Sequence, residues 1–212
     1  MTDFTAADLA KRFERMVPSD ALTGDHVLNP GHAAEFEGMV RRPAAVLVPV
    51  VDRGTHEATV LLTRRADHLR AHAGQIAFPG GGIEAGESVE DAALREAWEE
   101  VALEREHVQR VLGSLPRYAS GSGFLITPVV AIIDPGHEPV LQESEVAEAF
   151  EVPLGFLMNT ANHIVGERAW RGKPRRFYDM RYTAGATERR IWGVTAGVIR
   201  VMHDRLYAEV PA

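Results

Sequence analysis

Four glutamates and an arginine crowd into one short stretch: Glu87, Arg95, Glu96, Glu99 and Glu100, directly after the glycine-rich run Gly80-Gly81-Gly82-Ile83-Glu84-Ala85-Gly86. If residues 88–102 are helical, each residue turns by about 100°, so Glu96, Glu99 and Glu100 fall within an arc of roughly 100° and share a face. Carboxylates at these spacings repel one another, by roughly 0.2–0.5 kcal/mol per exposed pair and by more when partly buried. Mg²⁺ or Mn²⁺ would supply the missing positive charge, since such ions take a few protein carboxylates together with phosphate oxygens of a substrate. From the carboxylates alone, a solvated acidic face stays open as the alternative. The glycines favour the first reading, because they let backbone approach a metal ion or phosphate closely.

The element that must position these groups is a helix with a marked start. Ser88 stands at its N-cap, and Glu90 and Asp91 occupy the first turn, where the helix dipole favours acids. On the opposite side of the wheel, Ala93, Leu94, Ala97, Trp98 and Val101 are expected to pack on a core. Arg95, at the edge, is expected to pair with Glu87 or Glu99 and fix the loop on the helix.

Gly81, five residues, Glu87, seven residues, then Arg95-Glu96-Ala97-Trp98-Glu99-Glu100-Val101-Ala102-Leu103 resembles the Nudix box, G-x5-E-x7-R-E-U-x-E-E-x-G-U with U apolar. Ala102 stands where that pattern has glycine. No ligand is lost, and the helix is expected to run on through Ala102-Leu103-Glu104; a positive φ there would cost on the order of 1 kcal/mol. Immediately upstream, Leu61-Leu62-Thr63-Arg64-Arg65-Ala66, then Arg70, Gly74 and Phe78-Pro79-Gly80-Gly81 are similar to the signature of the coenzyme A diphosphatases among Nudix hydrolases. Weaker similarity continues through 121–124 and 145–154.

The resemblance implies an α+β fold, an α/β/α sandwich around a mixed sheet, and metal-assisted hydrolysis of a phosphoric anhydride by water. It implies Glu87, Arg95, Glu96, Glu99 and Glu100 as catalytic residues, with Mg²⁺ or Mn²⁺ on Glu96, Glu99, Glu100 and the backbone of Gly81 or its neighbour. The general base stays open among Glu96, Glu99, Glu100, Glu143 and Glu145. Arg65, Arg70, Gly74, Phe78 and Gly80 are the expected substrate-binding positions. The implied products from coenzyme A are 3',5'-ADP and 4'-phosphopantetheine; another nucleoside diphosphate derivative, such as ADP-ribose or a dinucleotide, is the alternative substrate. A non-catalytic module sensing a nucleotide or acyl-coenzyme A is a different class of reading. The intact set of five charged residues counts against it.

Arginine suits phosphates because its fork donates two parallel hydrogen bonds. A second basic group is Arg171, Lys173, Arg175 and Arg176; Trp170-Arg171-Gly172-Lys173-Pro174 reads as a turn between strands where exposed cations need no ligand, and a role for the group in binding substrate is the alternative. Ser120-Gly121-Ser122-Gly123 lacks the G-x-S-x-G elbow of serine hydrolases and reads as a flexible connection, with a substrate contact as the alternative. His32, His107, His137, His163 and His203 lack zinc-like spacing and are expected in surface or capping roles.

Composition sets the bounds. With 212 residues, 45% hydrophobic and 25% charged, the chain can bury an ordinary core. Residues 1–40 are expected to form an N-terminal helix and linker extension, and 41–212 the catalytic domain. The net charge of −7 argues against nucleic-acid partners. The absence of a signal-peptide core, of membrane-length apolar runs and of cysteine fits a soluble cytoplasmic protein with a small-molecule partner, a coenzyme A-like nucleotide diphosphate. Family relatives are often dimers, so a homodimer is compatible with the resemblance, although no residue shows it.

Further expectations are an amphipathic helix over Asp3–Met16, an irregular linker over Gly24–Glu37, strands over Ala44–Val51, Thr59–Thr63, Val108–Leu115 and Phe124–Ile133, and a segment from Glu145 ending at Pro153. Helices are expected from Pro153 to Met158 and from Trp192 to Tyr207.

Overall fold

The structure is a computed structural model that describes residues 3–19, 21–32, 38–170 and 172–208. Two long apolar runs form its centre. Strand β2 (Arg42–Val51) and strand β8 (Phe124–Ile133) pair in parallel along their whole length, from Arg42 opposite Phe124 to Val51 opposite Ile133. Both are apolar at nearly every position because both faces of the pair are covered.

Around this pair the sheet grows to nine strands. These include β1 (Thr23–Gly24), β3 (Thr59–Arg65), β4 (Ile76–Ala77), β5 (Gly80–Gly82), β6 (Val108–Ser114), β7 (Tyr118–Ala119) and β9 (Val146–Pro153). The β1–β7 pairing is also parallel and the others are antiparallel, which makes the sheet mixed as expected.

Alternation along β2 divides the core in two. Ala45, Leu47 and Val51 face helix α3 (Val89–Val101) and meet its Ala92, Ala93, Ala97 and Val101. Ala44, Val48 and Val50 face the other way, into a core shared with helix α1 (Ala6–Arg15) and the C-terminal helix α5 (Val194–Leu206). Helices therefore cover both faces, an α/β/α sandwich. A short helix, α4 (Leu154–Met158), follows β9 as expected.

Four expectations need correction. The stretch beginning at Gly24 is not wholly irregular: Thr23–Gly24 pair with Tyr118–Ala119, and Asp25–Leu28 form a helical turn, α2. Residues 33–37 of that stretch lie outside the described residues. Trp192 does not open the last helix; it ends strand β12 (Thr187–Trp192), and Gly193, with φ of 65°, separates strand from helix. Trp98 does not pack on the core but is 57% exposed. The buried stripe is Ala93, Ala97, Glu100 and Val101, with Ala92 at its side, and Trp98 lies past its edge.

The fourth correction concerns the end of α3. The helix stops at Val101, and Ala102 adopts φ 53° and ψ 36°, the left-handed conformation. Its N–H donates to the Trp98 carbonyl at 2.9 Å and the Leu103 N–H donates to Ala97 at 3.3 Å, so both bonds satisfy helix-end carbonyls. Leu103 is thereby turned into the core at 2% exposure. The strain at Ala102 is thus real.

A second sheet was not foreseen. Strands β10 (Ile164–Trp170), β11 (Lys173–Ala184) and β12 form an antiparallel meander, with Trp170 opposite Lys173 and Asp179 opposite Trp192. The expected turn at 170–174 therefore exists, although Arg171 lies outside the described residues. No helix among the described residues is long and apolar enough to cross a membrane.

Candidate active site

The glycine run is laid against β2. Gly80, Gly81 and Gly82 pair with Val46, Ala45 and Ala44, and a Cβ on Gly80 would sit 2.5 Å from the Ala45 carbonyl oxygen. A Cβ on Gly81 would overlap the Glu96 carboxylate. Only glycine permits this approach, and it brings backbone against the acidic face of α3.

The helix starts as its sequence predicts. The Ser88 hydroxyl accepts the Asp91 N–H at 3.1 Å, with Glu90 and Asp91 in the first turn. Glu87, just before it, accepts Arg95 Nε at 2.8 Å and also the Glu84 N–H at 3.0 Å. Arg95 further donates to the Gly82 carbonyl at 3.0 Å, Glu96 at 3.0 Å and Glu99 at 3.2 Å. This one guanidinium therefore ties loop, helix start and acidic face together. Its hydrogen bond holds Glu87 below the usual carboxylate range, with the Glu84 backbone adding to the effect. Glu87, ahead of every other partner, raises Arg95 in turn.

The three helix glutamates share a face but not an environment. Glu100 falls in the buried stripe at 4% exposure, beside Ala97 and Ala93. Burial pushes its pKa up to about 8; Arg65 counters this, while Glu96 and Glu145 reinforce it. Glu96 flanks the stripe and is raised too, first by burial, with Arg95 opposing. Glu99 points outward, its side chain 47% exposed.

Glu96 and Glu100 border a cleft of about 480 Å³. Of the sequence-predicted positions, Glu96, Glu100, Gly80, Gly81, Arg65 and Phe78 line it, and so does Glu145. Glu87 and Arg95 act from behind, through the contacts above. Glu99 and Glu143 are exposed and do not line the cleft. Arg70 is exposed in the loop after β3 and is likewise outside it, while Gly74, with φ of 67°, shapes that loop and donates its N–H to the Arg65 carbonyl at 3.1 Å.

The donor set suits a hard divalent cation. A buried carboxylate next to two others, with carbonyl-bearing glycine backbone in contact, is stabilised by bound positive charge. Among the described residues, no three acidic or histidine side chains already stand in a coordination cage. Arg95 holds oxygens of both Glu96 and Glu99, and Mg²⁺ completes its shell with water and substrate oxygens instead of an all-protein cage.

The cleft has a second wall, of which the sequence had pointed only to Arg175. It includes Arg168, Trp170, Arg175, Phe177 and Trp192 from the three-stranded sheet. Asp25, from α2, accepts hydrogen bonds there from Arg175, from the Tyr118 hydroxyl at 2.7 Å and from the Gly121 N–H at 2.7 Å. Burial foremost, and the Asp25 charge after it, push Tyr118 well above the usual phenol range. A signal for this wall exists in the sequence: arginine-x-aromatic occurs at 168–170, 175–177 and 190–192, and in strands that spacing puts both side chains on one face.

Residues 40–168 match the NUDIX domain model. A protein of Enterobacter sp. (strain 638), described as an uncharacterized Nudix hydrolase NudL, is 40% identical over 199 residues, 93% of each chain. A Citrobacter koseri protein of the same description is 44% identical over 165 residues, 77% of this chain and 82% of the relative. Among solved structures, a Nudix hydrolase from M. smegmatis, RenU, aligns with a TM-score of 0.46 at 29% identity, over 54% of this chain and 72% of that one.

Proposed function

Because the chain belongs to the NUDIX domain family and is a hydrolase of pyrophosphate bonds, we propose that its substrate is coenzyme A or an acyl derivative, cleaved at the diphosphate to 3',5'-ADP and 4'-(acyl)phosphopantetheine. The observation that carries this reading is the convergence, on one cleft, of the acidic helix with Arg65, Phe78 and Gly80 from the coenzyme A diphosphatase-like segment.

Mg²⁺ or Mn²⁺, held by Glu96 and Glu100 with help from Gly81 backbone, would supply charge for the diphosphate oxygens and acidify the attacking water. Arg65 lies at the same edge and forms no ion pair among the described residues, which leaves its fork for a phosphate. Gly80 and Gly81 keep the site open to the diphosphate. Of the carboxylates able to take the proton from water, Glu96, Glu100 and Glu145 line the cleft. Glu87 and Arg95 keep the loop and Glu96 in register with the substrate.

A chromatographic assay over coenzyme A, acetyl-coenzyme A, ADP-ribose, NADH and nucleoside triphosphates tests the substrate. Release of 3',5'-ADP with the highest kcat/KM for a coenzyme A form is the expected result. Turnover of ADP-ribose without any 3',5'-ADP from coenzyme A would overturn the substrate and leave the chemistry standing.

A further inference from the structure

The wall opposite the catalytic helix carries charge that diphosphate hydrolysis does not use. On the three-stranded sheet, Arg168 stands directly opposite Arg175 in register. Like charges so placed repel and destabilise the pairing unless something neutralises them. Asp25 neutralises Arg175, and Asp179 neutralises the neighbouring Arg190 through hydrogen bonds of 2.6–3.0 Å. Arg168 has no carboxylate partner among the described residues. Its guanidinium carbon lies 4.8 Å from the centre of the Trp192 ring and 5.6 Å from that of Trp170.

The aromatic rings around Arg168 line the cleft as well. Phe177 and Trp192 meet edge to face at 5.4 Å, while Trp170 remains 37% exposed at the end of its strand. A plain sheet surface would turn such rings onto a core or cover them. Here they border the same cleft as Glu96 and Glu100. Flat apolar faces beside an uncompensated guanidinium recognise a flat heterocycle that carries an anion.

We propose that Trp170, Phe177 and Trp192 form the subsite for the base of the substrate, and that Arg168 binds a phosphate carried on its nucleoside, separate from the diphosphate that is cleaved. This deepens the proposed function and rests on its reading that the cleft takes a nucleotide diphosphate. The subsite selects for an adenosine bearing an extra phosphate over one without it. Arg175, held by Asp25, is a positioning residue that ties β11 to α2 beside the base.

The test is a fluorescence titration. Trp98 is on the exposed side of α3, so Trp98→Phe leaves Trp170 and Trp192 as the only tryptophans. Adenosine 3',5'-bisphosphate and 5'-AMP are titrated into this variant and into the same variant with Arg168→Gln. Both nucleotides should quench the emission, with the bisphosphate bound about tenfold more tightly, and Arg168→Gln should reduce that preference to roughly twofold. In parallel, Arg168→Gln should raise KM for coenzyme A by about tenfold with kcat within roughly twofold. Absence of quenching, or a preference that survives Arg168→Gln, overturns the subsite. If coenzyme A is not cleaved yet the preference is present and Arg168-dependent, the substrate reading fails and the subsite stands. If coenzyme A is cleaved and Arg168→Gln leaves KM unchanged, the subsite fails and the substrate reading stands.

Discussion

Arg95 Nε donates to the Glu87 carboxylate at 2.8 Å, across eight residues of chain, and this contact pins the glycine loop to helix α3. The same guanidinium reaches Gly82, Glu96 and Glu99. Arg95→Lys keeps the charge but cannot make four contacts from one planar fork. Its kcat/KM should fall about 10²-fold, since a displacement of roughly 1 Å in the loop is enough for that loss. Steady-state kinetics, with circular dichroism showing retained fold, measures it; near-wild-type activity would show that the clamp is dispensable.

Ala102 sits at φ 53° where glycine would be unstrained. Ala102→Gly should raise stability by about 0.5–1 kcal/mol, because relief of left-handed strain exceeds the added chain entropy of glycine. Denaturant unfolding should show a higher midpoint at unchanged m-value. A lower midpoint would mean that the left-handed turn is not populated.

The half of the fold that carries the acidic helix was legible because its signals are local. The runs 44–51 and 124–133 are apolar at nearly every position, and the loop-helix carries its charged candidate residues within one segment. Solvent-facing and core-facing glutamates could not be told apart by their shared arc, because Glu100 at one edge falls in the buried stripe and Glu99 at the other does not. Periodicity also misplaced Trp98, since a wheel ranks positions by angle and small alanines filled the contact with β2 instead. The three-stranded sheet was silent for another reason: β10 is exposed or half-exposed throughout, so burial left no alternating apolar pattern. Its arginine-x-aromatic repeats were the readable sign. Asp25 was unreadable, because its partners Tyr118, Gly121 and Arg175 are 93 to 150 residues away.

Buried carboxylates at the cleft should make the fold respond to metal. A saturating divalent ion at a hundredfold excess over its Kd should stabilise the wild type by about 2.7 kcal/mol, and a chelator should remove that gain. The double variant Glu96→Gln, Glu100→Gln should lose most of it. Denaturant unfolding with Mg²⁺ or Mn²⁺ against chelator reads the difference, and equal stabilisation of the double variant would place the ion elsewhere.

His163 links stability to pH. It is buried, and its Nε2 hydrogen-bonds the Leu157 carbonyl at 2.7 Å, a capping role at the end of α4. Burial first, then the charge of Arg200 and the nearby His203, lower its pKa from the ordinary 6.5. A depressed folded value means that its contribution is complete above about pH 6.5 and is lost as pH falls through the lower folded value. His137 is lowered in the same direction by burial and His107. His163→Gln keeps a donor for Leu157 but cannot take up the proton, so its unfolding free energy should fall less steeply below pH 6.5. Parallel pH curves for the two proteins would rule out His163 as a contributor.

The most direct measurement is the product of coenzyme A turnover with Mg²⁺ or Mn²⁺, followed by chromatography for wild type and for Glu100→Gln. Wild type should release 3',5'-ADP and 4'-phosphopantetheine, and Glu100→Gln, folded by circular dichroism, should be slower by at least about 10²-fold. No 3',5'-ADP from coenzyme A alongside turnover of ADP-ribose, or an undiminished rate in Glu100→Gln, would contradict the account.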